Sequence, residues 1–314
     1  MRAFPSLWFL FLLSTAELLF APIAEGADGN QTISVPMLGY TLTVQTRNRF
    51  AGAVSAITWK GQSFIDSQDH GRELQSDVLF DHYGVCYNPT EAGSQANGAG
   101  DRSSSVLRAI RVRGNQLWSV TQLAFWLQPG QSSYPNVCGR HTDLHRAVNR
   151  AVLSRVILHK HLTVGLPGFP NVLRESLTFD VPAPYQSATF EVLTGYMPPA
   201  FSEVFAFHPR SLRLIAIQGS RSEQPYPVIR STVDHHYAMG IYTPGLPQIG
   251  WLHAGYGSRD FPGVVKWNCV YRYHSVAARP YHFLAFVIIG NLPQVERTMH
   301  RLYQRCTSAG CPER

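Results

Sequence analysis

The sequence predicts an all-β protein, a large antiparallel β-sandwich with one C-terminal helix. Three observations carry this. Short runs rich in β-branched and aromatic residues recur along the chain, punctuated by Gly, Pro, Asn and Asp. Helical periodicity is convincing only in Leu292–Arg305. No helices separate the strands, as a parallel α/β fold would require.

The extended runs are 41–45, 53–59, 106–112, 118–126, 153–164 and 172–179, then 188–193, 212–217, 228–232, 237–242, 264–273 and 282–289. In the helix, Val295, Met299 and Leu302 recur at i, i+4 and i+7. Asn291 is its N-cap, Pro293 suits its first turn, and Arg301 and Arg305 suit its C-terminal dipole. Residues 143–150 read as a short helical turn. There is no fixed-period repeat and no clear linker, so residues 28–314 read as one domain.

Residues 1–27 read as a signal peptide. Arg2 precedes the mostly apolar stretch 7–20, and small residues follow at Ala24 and Gly26. Cleavage after Gly26 or Ala27 predicts a secreted or periplasmic protein without stable membrane insertion. The net charge is +7, and removing Arg2, Glu17 and Glu25 makes it +8 (7 − 1 + 2). Only Lys60, Lys160 and Lys266 are lysines, so the excess is arginine, scattered and without a nucleic-acid motif. Nucleic acid is therefore excluded as a partner, whereas an acidic or hydroxyl-rich polysaccharide suits arginine well.

An oxidising compartment permits disulfides among the five cysteines. Cys306 with Cys311 is the expected bridge and Cys86 with Cys138 a second, while Cys269 reads as a buried hydrophobe. No Cys/His spacing suggests zinc; His159 and His161 share a strand face but lack a third ligand. No metal or cofactor is expected. Asp234-His235-His236 reads as a polar turn.

Candidate chemistry concentrates in two segments, Asp69–Gln75 and Tyr87–Gly93. If 70–75 is extended, His70 and Arg72 share one face and Glu73 and Gln75 the other. Glycosidic cleavage needs two carboxyl groups, and Glu91 and Glu73 are the candidates. A lyase or epimerase instead needs a base near a carbon acid, which His70 or Tyr87 with Arg72 would supply. The expected catalytic residues are thus Glu91, His70 and Glu73. Arg72, Gln75, Tyr87 and Asn88 are expected to bind substrate. Lys266, Asn268 and Arg272 share the polar side of the 264–274 run and would join them, with Tyr196 as a stacking platform.

The segment 52–61, followed by Asp69–Gln75, resembles the start of galactose-mutarotase-like supersandwich proteins. Segments 88–93, 193–198 and 265–269 resemble an uncharacterised exported bacterial branch of them. The resemblance implies a broad concave sheet that binds oligo- or polysaccharide, as in epimerases, polysaccharide lyases and glycoside-hydrolase domains. That group's His/Glu acid–base pair has no counterpart in position here. The expected function is glycan processing, with glycoside hydrolysis by carboxylate acid/base catalysis first. A lyase, a sugar epimerase, a non-catalytic glycan-binding module and a structural envelope protein are the alternatives.

Overall fold

The computed structural model describes residues 28–133, 138, 143–245 and 255–312. The signal-peptide reading of residues 1–27 lies outside them. In chain order the strands are β1 (Thr32–Met37), β2 (Tyr40–Thr46), β3 (Val54–Trp59), β4 (Gln62–Ser63), β5 (Leu74–Phe80), β6 (Pro89–Thr90), β7 (Val106–Arg113), β8 (Gln116–Phe125), β9 (Leu153–Leu166) and β10 (Phe169–Asp180). They continue with β11 (Tyr185–Met197), β12 (Glu203–His208), β13 (Arg213–Ile217), β14 (Arg221–Gln224), β15 (Val228–Ser231), β16 (Ala238–Tyr242), β17 (Gly255–Phe261), β18 (Val264–Val276) and β19 (Pro280–Gly290), followed by helix α1 (Leu292–Ser308).

Pairing is antiparallel throughout the described strands and builds two layers. One runs β13–β12–β15–β16–β19–β10–β9–β8–β7. The other runs β14–β17–β18–β11–β5 and joins the first through β6, which pairs with both β5 and β8. A single pair, Val54 with Leu74, connects β5 to the β3–β2–β1 ribbon. The layers pack face to face through aromatic rings. Phe190 of β11 meets Phe179 of β10 at 5.3 Å and Phe283 of β19 at 5.1 Å, centroid to centroid.

Helix α1 covers the outer face of the first layer. Val295, Met299 and Leu302 are all buried, as the periodicity predicts, against Ile229, Ala238 and Ile288. Gly240 makes the close approach possible, since a Cβ there would meet Met299 and Val295 at 3.0 Å. Asn291 caps the helix by accepting from Gln294 N, and the Gln294 side chain accepts from Asn291 N in return. No helix among the described residues is long and apolar enough to span a bilayer.

Two expectations about local structure are corrected. Residues 70–72 are not strand; β5 begins at Leu74, because Gly71 takes a φ of +111° that turns the chain. Residues 143–150 form no helix and run irregularly, with a single bridge from Arg146 to Ser132. The sequence reading also missed β1, β4, β6, β12, β14 and β17, strands of two to seven residues, among which 204–207 of β12 is a readable apolar run.

Both expected disulfides are present, Cys306–Cys311 and Cys86–Cys138, and Cys269 is free and buried. Cys86 and Cys138 are 52 residues apart, so in the chain-entropy picture their bridge removes about 4 kcal/mol of denatured-state freedom. The Cys306–Cys311 loop is far shorter. Denaturant titration should therefore show a substantially larger loss for Cys86→Ser/Cys138→Ser than for Cys306→Ser/Cys311→Ser. Equal losses would count against this ranking.

Candidate functional site

The two segments singled out in the sequence fold into supporting structure. His70 is buried, with Nδ1 2.8 Å from Gly98 O and Nε2 2.5 Å from Arg49 O. Both ring nitrogens are thus occupied by backbone, and His70 ties three loops together. Arg72 pairs with Asp69 at 3.2 Å and Asp66 at 3.6 Å at the edge of the turn. Glu73 is fully buried, accepting from Gly71 N at 2.9 Å, and its Oε1 has no partner among the described residues. Burial pushes its carboxyl up to about 8, against the opposing pull of the Gly71 amide.

Glu91 is in the interior. Its Oε1 lies 2.8 Å from Lys160 Nζ, and its Oε2 accepts from Lys160 and from Ser76 N. Lys160 also reaches Glu175 at 3.6 Å, and all three side chains have no exposed surface. Burial raises the Glu175 carboxyl, with Lys160 pulling the other way. Burial alone would lower Lys160, but the two glutamates more than offset it and hold the ammonium above its ordinary range. The expected catalytic trio of Glu91, His70 and Glu73 therefore has no common opening to a ligand, because each is committed to the loop core.

Of the residues expected to bind substrate, Tyr196, Lys266, Asn268 and Arg272 converge on the outer face of the β5–β11–β18–β17 sheet, with Asn88 beside them, whereas Arg72, Gln75 and Tyr87 lie elsewhere. Alternation sends Trp267, Cys269 and Tyr271 of β18 into the core and Lys266, Asn268 and Arg272 outward. On β11 a bulge between Glu191 and Leu193 keeps Glu191, Thr194 and Tyr196 on that same outward face. The register sets Asp77 opposite Glu191, Thr194 opposite Asn268, and Tyr196 opposite Lys266.

A largely buried carboxyl pair, each acid 7% exposed, lies at the centre of this face. Asp77 and Glu191 are direct cross-strand partners that act on each other's ionisation, and two carboxyls so placed in a buried setting do not both ionise cheaply. Lys266 Nζ is 2.7 Å from Glu191 Oε1 and 5.0 Å from the Tyr196 ring centroid. Asn268 hydrogen-bonds Glu191, and Asn88 hydrogen-bonds Asp77 from the β6 side. Burial, then the Glu191 charge, drives the Asp77 carboxyl well above its ordinary range. Burial would raise Glu191 too, but Lys266, helped by Asn268 and Asp77, holds it below its ordinary range. The two acids titrate as a pair, in which Lys266 at 2.7 Å favours the charge on Glu191 and burial favours the proton on Asp77. Beyond the pair, Arg272 reaches Glu223 at 3.3 Å and extends the polar strip. Gly257, opposite Asn268, leaves the space that Asn268 fills.

Asp77, Glu191 and Glu223 were missed in the sequence. Glu191 carried a readable signal, a lone acid between Phe190 and Val192 in a strongly apolar strand. Asp77 was obscured because β5 was placed too early, at 70–75. Gln75 does not face a ligand; it accepts from Ala92 N at 2.9 Å and secures the 91–93 loop. Tyr87 stacks on Phe125 at 5.0 Å and lines a separate cleft. The His159 ring binds Asp180 and the His161 ring stacks on Trp118. Asp234 accepts from Thr232 and from His236 N in the polar turn expected there.

No protein-family model matches the chain, and no curated protein matches its sequence. Solved structures similar to it include the GH36 α-galactosidase AgaA from Geobacillus stearothermophilus (9% identity, TM-score 0.45, covering 87% of this chain and 43% of that one). The heparan sulfate lyase HepC from Pedobacter heparinus is another (8%, 0.42, 84% and 36%). A galactose mutarotase-like protein from Lactobacillus casei is a third (9%, 0.38, 82% and 100%). The chain spans less than half of the first two. No activity follows from likenesses this distant.

Two outcomes follow from the buried acids. Removing one member of a buried ion pair typically costs about 3–5 kcal/mol. Glu91→Gln should lie at or below that range, because Glu175 remains for Lys160, whereas Lys160→Met should cost more by leaving two acids unmatched; urea titration ranks them. For Glu73, a folded-state value above the unfolded one means stability is complete in acid and is lost as pH rises toward about 8. The melting-temperature advantage of Glu73→Gln over the parent should therefore grow between about pH 5 and pH 8. A pH-independent difference would contradict this.

Proposed function

We propose that the protein is an exported, carbohydrate-active acid–base protein, with Asp77 as proton donor and Glu191 as proton acceptor at one sugar centre. The observation that carries this is the cross-strand pairing of Asp77 with Glu191, flanked by Lys266, Asn268 and Tyr196. Polar hydrogen-bonding groups beside an aromatic ring suit a sugar. The formation of two disulfides is compatible with export.

The direct cross-strand pairing of the two acids leads us to favour proton transfer over glycosidic cleavage. Retaining glycosidases hold their carboxyl groups about 5–5.5 Å apart and inverting ones about 6.5–9.5 Å. Asp77 and Glu191 are instead side by side, direct partners across the β5–β11 strand pair that act on each other's ionisation. That placement suits two neighbouring oxygens of one sugar, the ring oxygen and the anomeric hydroxyl. Asp77 would give its proton to the ring oxygen while Glu191 takes the hydroxyl proton. The bond from the anomeric carbon to the ring oxygen breaks, leaving an open-chain aldehyde. Reclosure on the other face returns both protons, so the reaction is an epimerisation at one carbon. Lys266 would stabilise the carboxylate form of Glu191 before proton transfer, and Asn88 would orient Asp77.

Exchange NMR on a panel of reducing sugars tests this. The parent should accelerate anomer interconversion, and Asp77→Asn and Glu191→Gln should each lose about 10²–10⁴-fold while remaining folded. Reducing ends released from polysaccharide would restore the hydrolase reading. Sugar binding without any turnover would leave a glycan-binding module.

A further inference from the structure

We infer that a second site, a cleft where β6, β8 and β9 meet the 182–185 turn, binds a sugar unit bearing a carboxylate or sulfate group. This goes beyond the acid–base reading and does not depend on it. The cleft has a volume of about 640 Å³, within the range of roughly 300–1,000 Å³ common for small-molecule sites.

Its wall is aromatic. Tyr87 stacks on Phe125 with planes 21° apart, Tyr185 stacks on Phe80 at 3.8 Å, and the Tyr87 and Tyr185 ring centroids are 6.2 Å apart. Such rings present a flat apolar surface with polar tips, which suits one face of a sugar ring. Arg150 and Arg155 line the opening and are exposed. Neither makes an ion pair among the described residues, although most other interior and groove charges are matched. Arg155 is close enough to Tyr185 to act on its hydroxyl electrostatically. Asp81 also lines the cleft, but its Oδ1 accepts from Gln186 N at 2.7 Å and Ser187 N at 3.4 Å.

A second, independent feature points to a ligand. Asn149 lines the cleft and is only 5% exposed. Its Nδ2 donates to Leu127 O and Ala151 O, while its buried Oδ1 has no partner among the described residues. A buried acceptor left open is costly, and a sugar hydroxyl would satisfy it. Two planar guanidinium forks over an aromatic wall, with one hydroxyl acceptor at depth, recognise an acidic sugar better than a neutral one. The cleft is also one residue from the carboxyl pair, because Tyr87 and Pro89 line it while Asn88 between them holds Asp77.

Calorimetric titration of the purified protein decides the matter. The probes are tetragalacturonate, its fully methyl-esterified form, and a sulfated heparin-derived tetrasaccharide. At least one acidic probe should bind, more weakly as salt rises, and tetragalacturonate should bind no worse than tenfold better than its ester if carboxylate is the recognised group. Arg150→Gln/Arg155→Gln should weaken acidic binding by at least tenfold, and Asn149→Leu should weaken it separately. Asp77→Asn should retain binding, so failure of the epimerase reading would remain distinguishable. Binding unchanged in the double arginine variant, equal binding of the methyl ester when no sulfated probe binds, or no binding of either acidic probe would overturn the inference.

Discussion

The buried Lys160 ammonium is the constraint on which the rest depends. An ammonium with no exposed surface must be matched by acids, and Glu91 and Glu175 provide them. Glu175 belongs to the neighbouring strand β10, but Glu91 comes from the loop after β6 and must be drawn inward. Once there, it also takes the Ser76 amide of β5, while Gln75 holds Ala92 N. The 87–93 segment is thereby fixed against both layers. Its residues then face two ways, with Asn88 toward Asp77 and Tyr87 and Pro89 toward the aromatic cleft.

The two outer faces are finished differently. Helix α1 covers the first layer with Val295, Met299 and Leu302. The second layer keeps a polar outer face whose charges are paired laterally, Lys266 with Glu191 and Arg272 with Glu223. Low exposure strengthens those pairs and makes double ionisation of Asp77 and Glu191 unfavourable. The same physics that locks Glu91 into the core thus favours the proton on Asp77 in the outward pair. The difference is access, since Lys266 retains 15% of its side-chain surface and Lys160 none.

Much of the fold was legible because its long strands carry sustained apolar or alternating runs, and because α1 has both a cap and a periodic apolar face. The outward set of β18, Lys266, Asn268 and Arg272, was legible from alternation alone. The acids were not. Density of polar residues in 69–75 and 87–93 reflected loop construction, with His70, Glu73 and Glu91 satisfying backbone or burying charge. Glu191 and Asp77 meet only through cross-strand register across more than a hundred residues, helped by a bulge that local patterning does not announce.

The central claim is that Asp77 holds its proton well above the ordinary carboxylate range beside Glu191. Carbon-13 NMR of protein labelled at aspartate carboxyls measures this directly. The account predicts an aspartate resonance that titrates well above the ordinary acidic range and vanishes in Asp77→Asn. A spectrum in which Asp77 titrates in the ordinary range would contradict it.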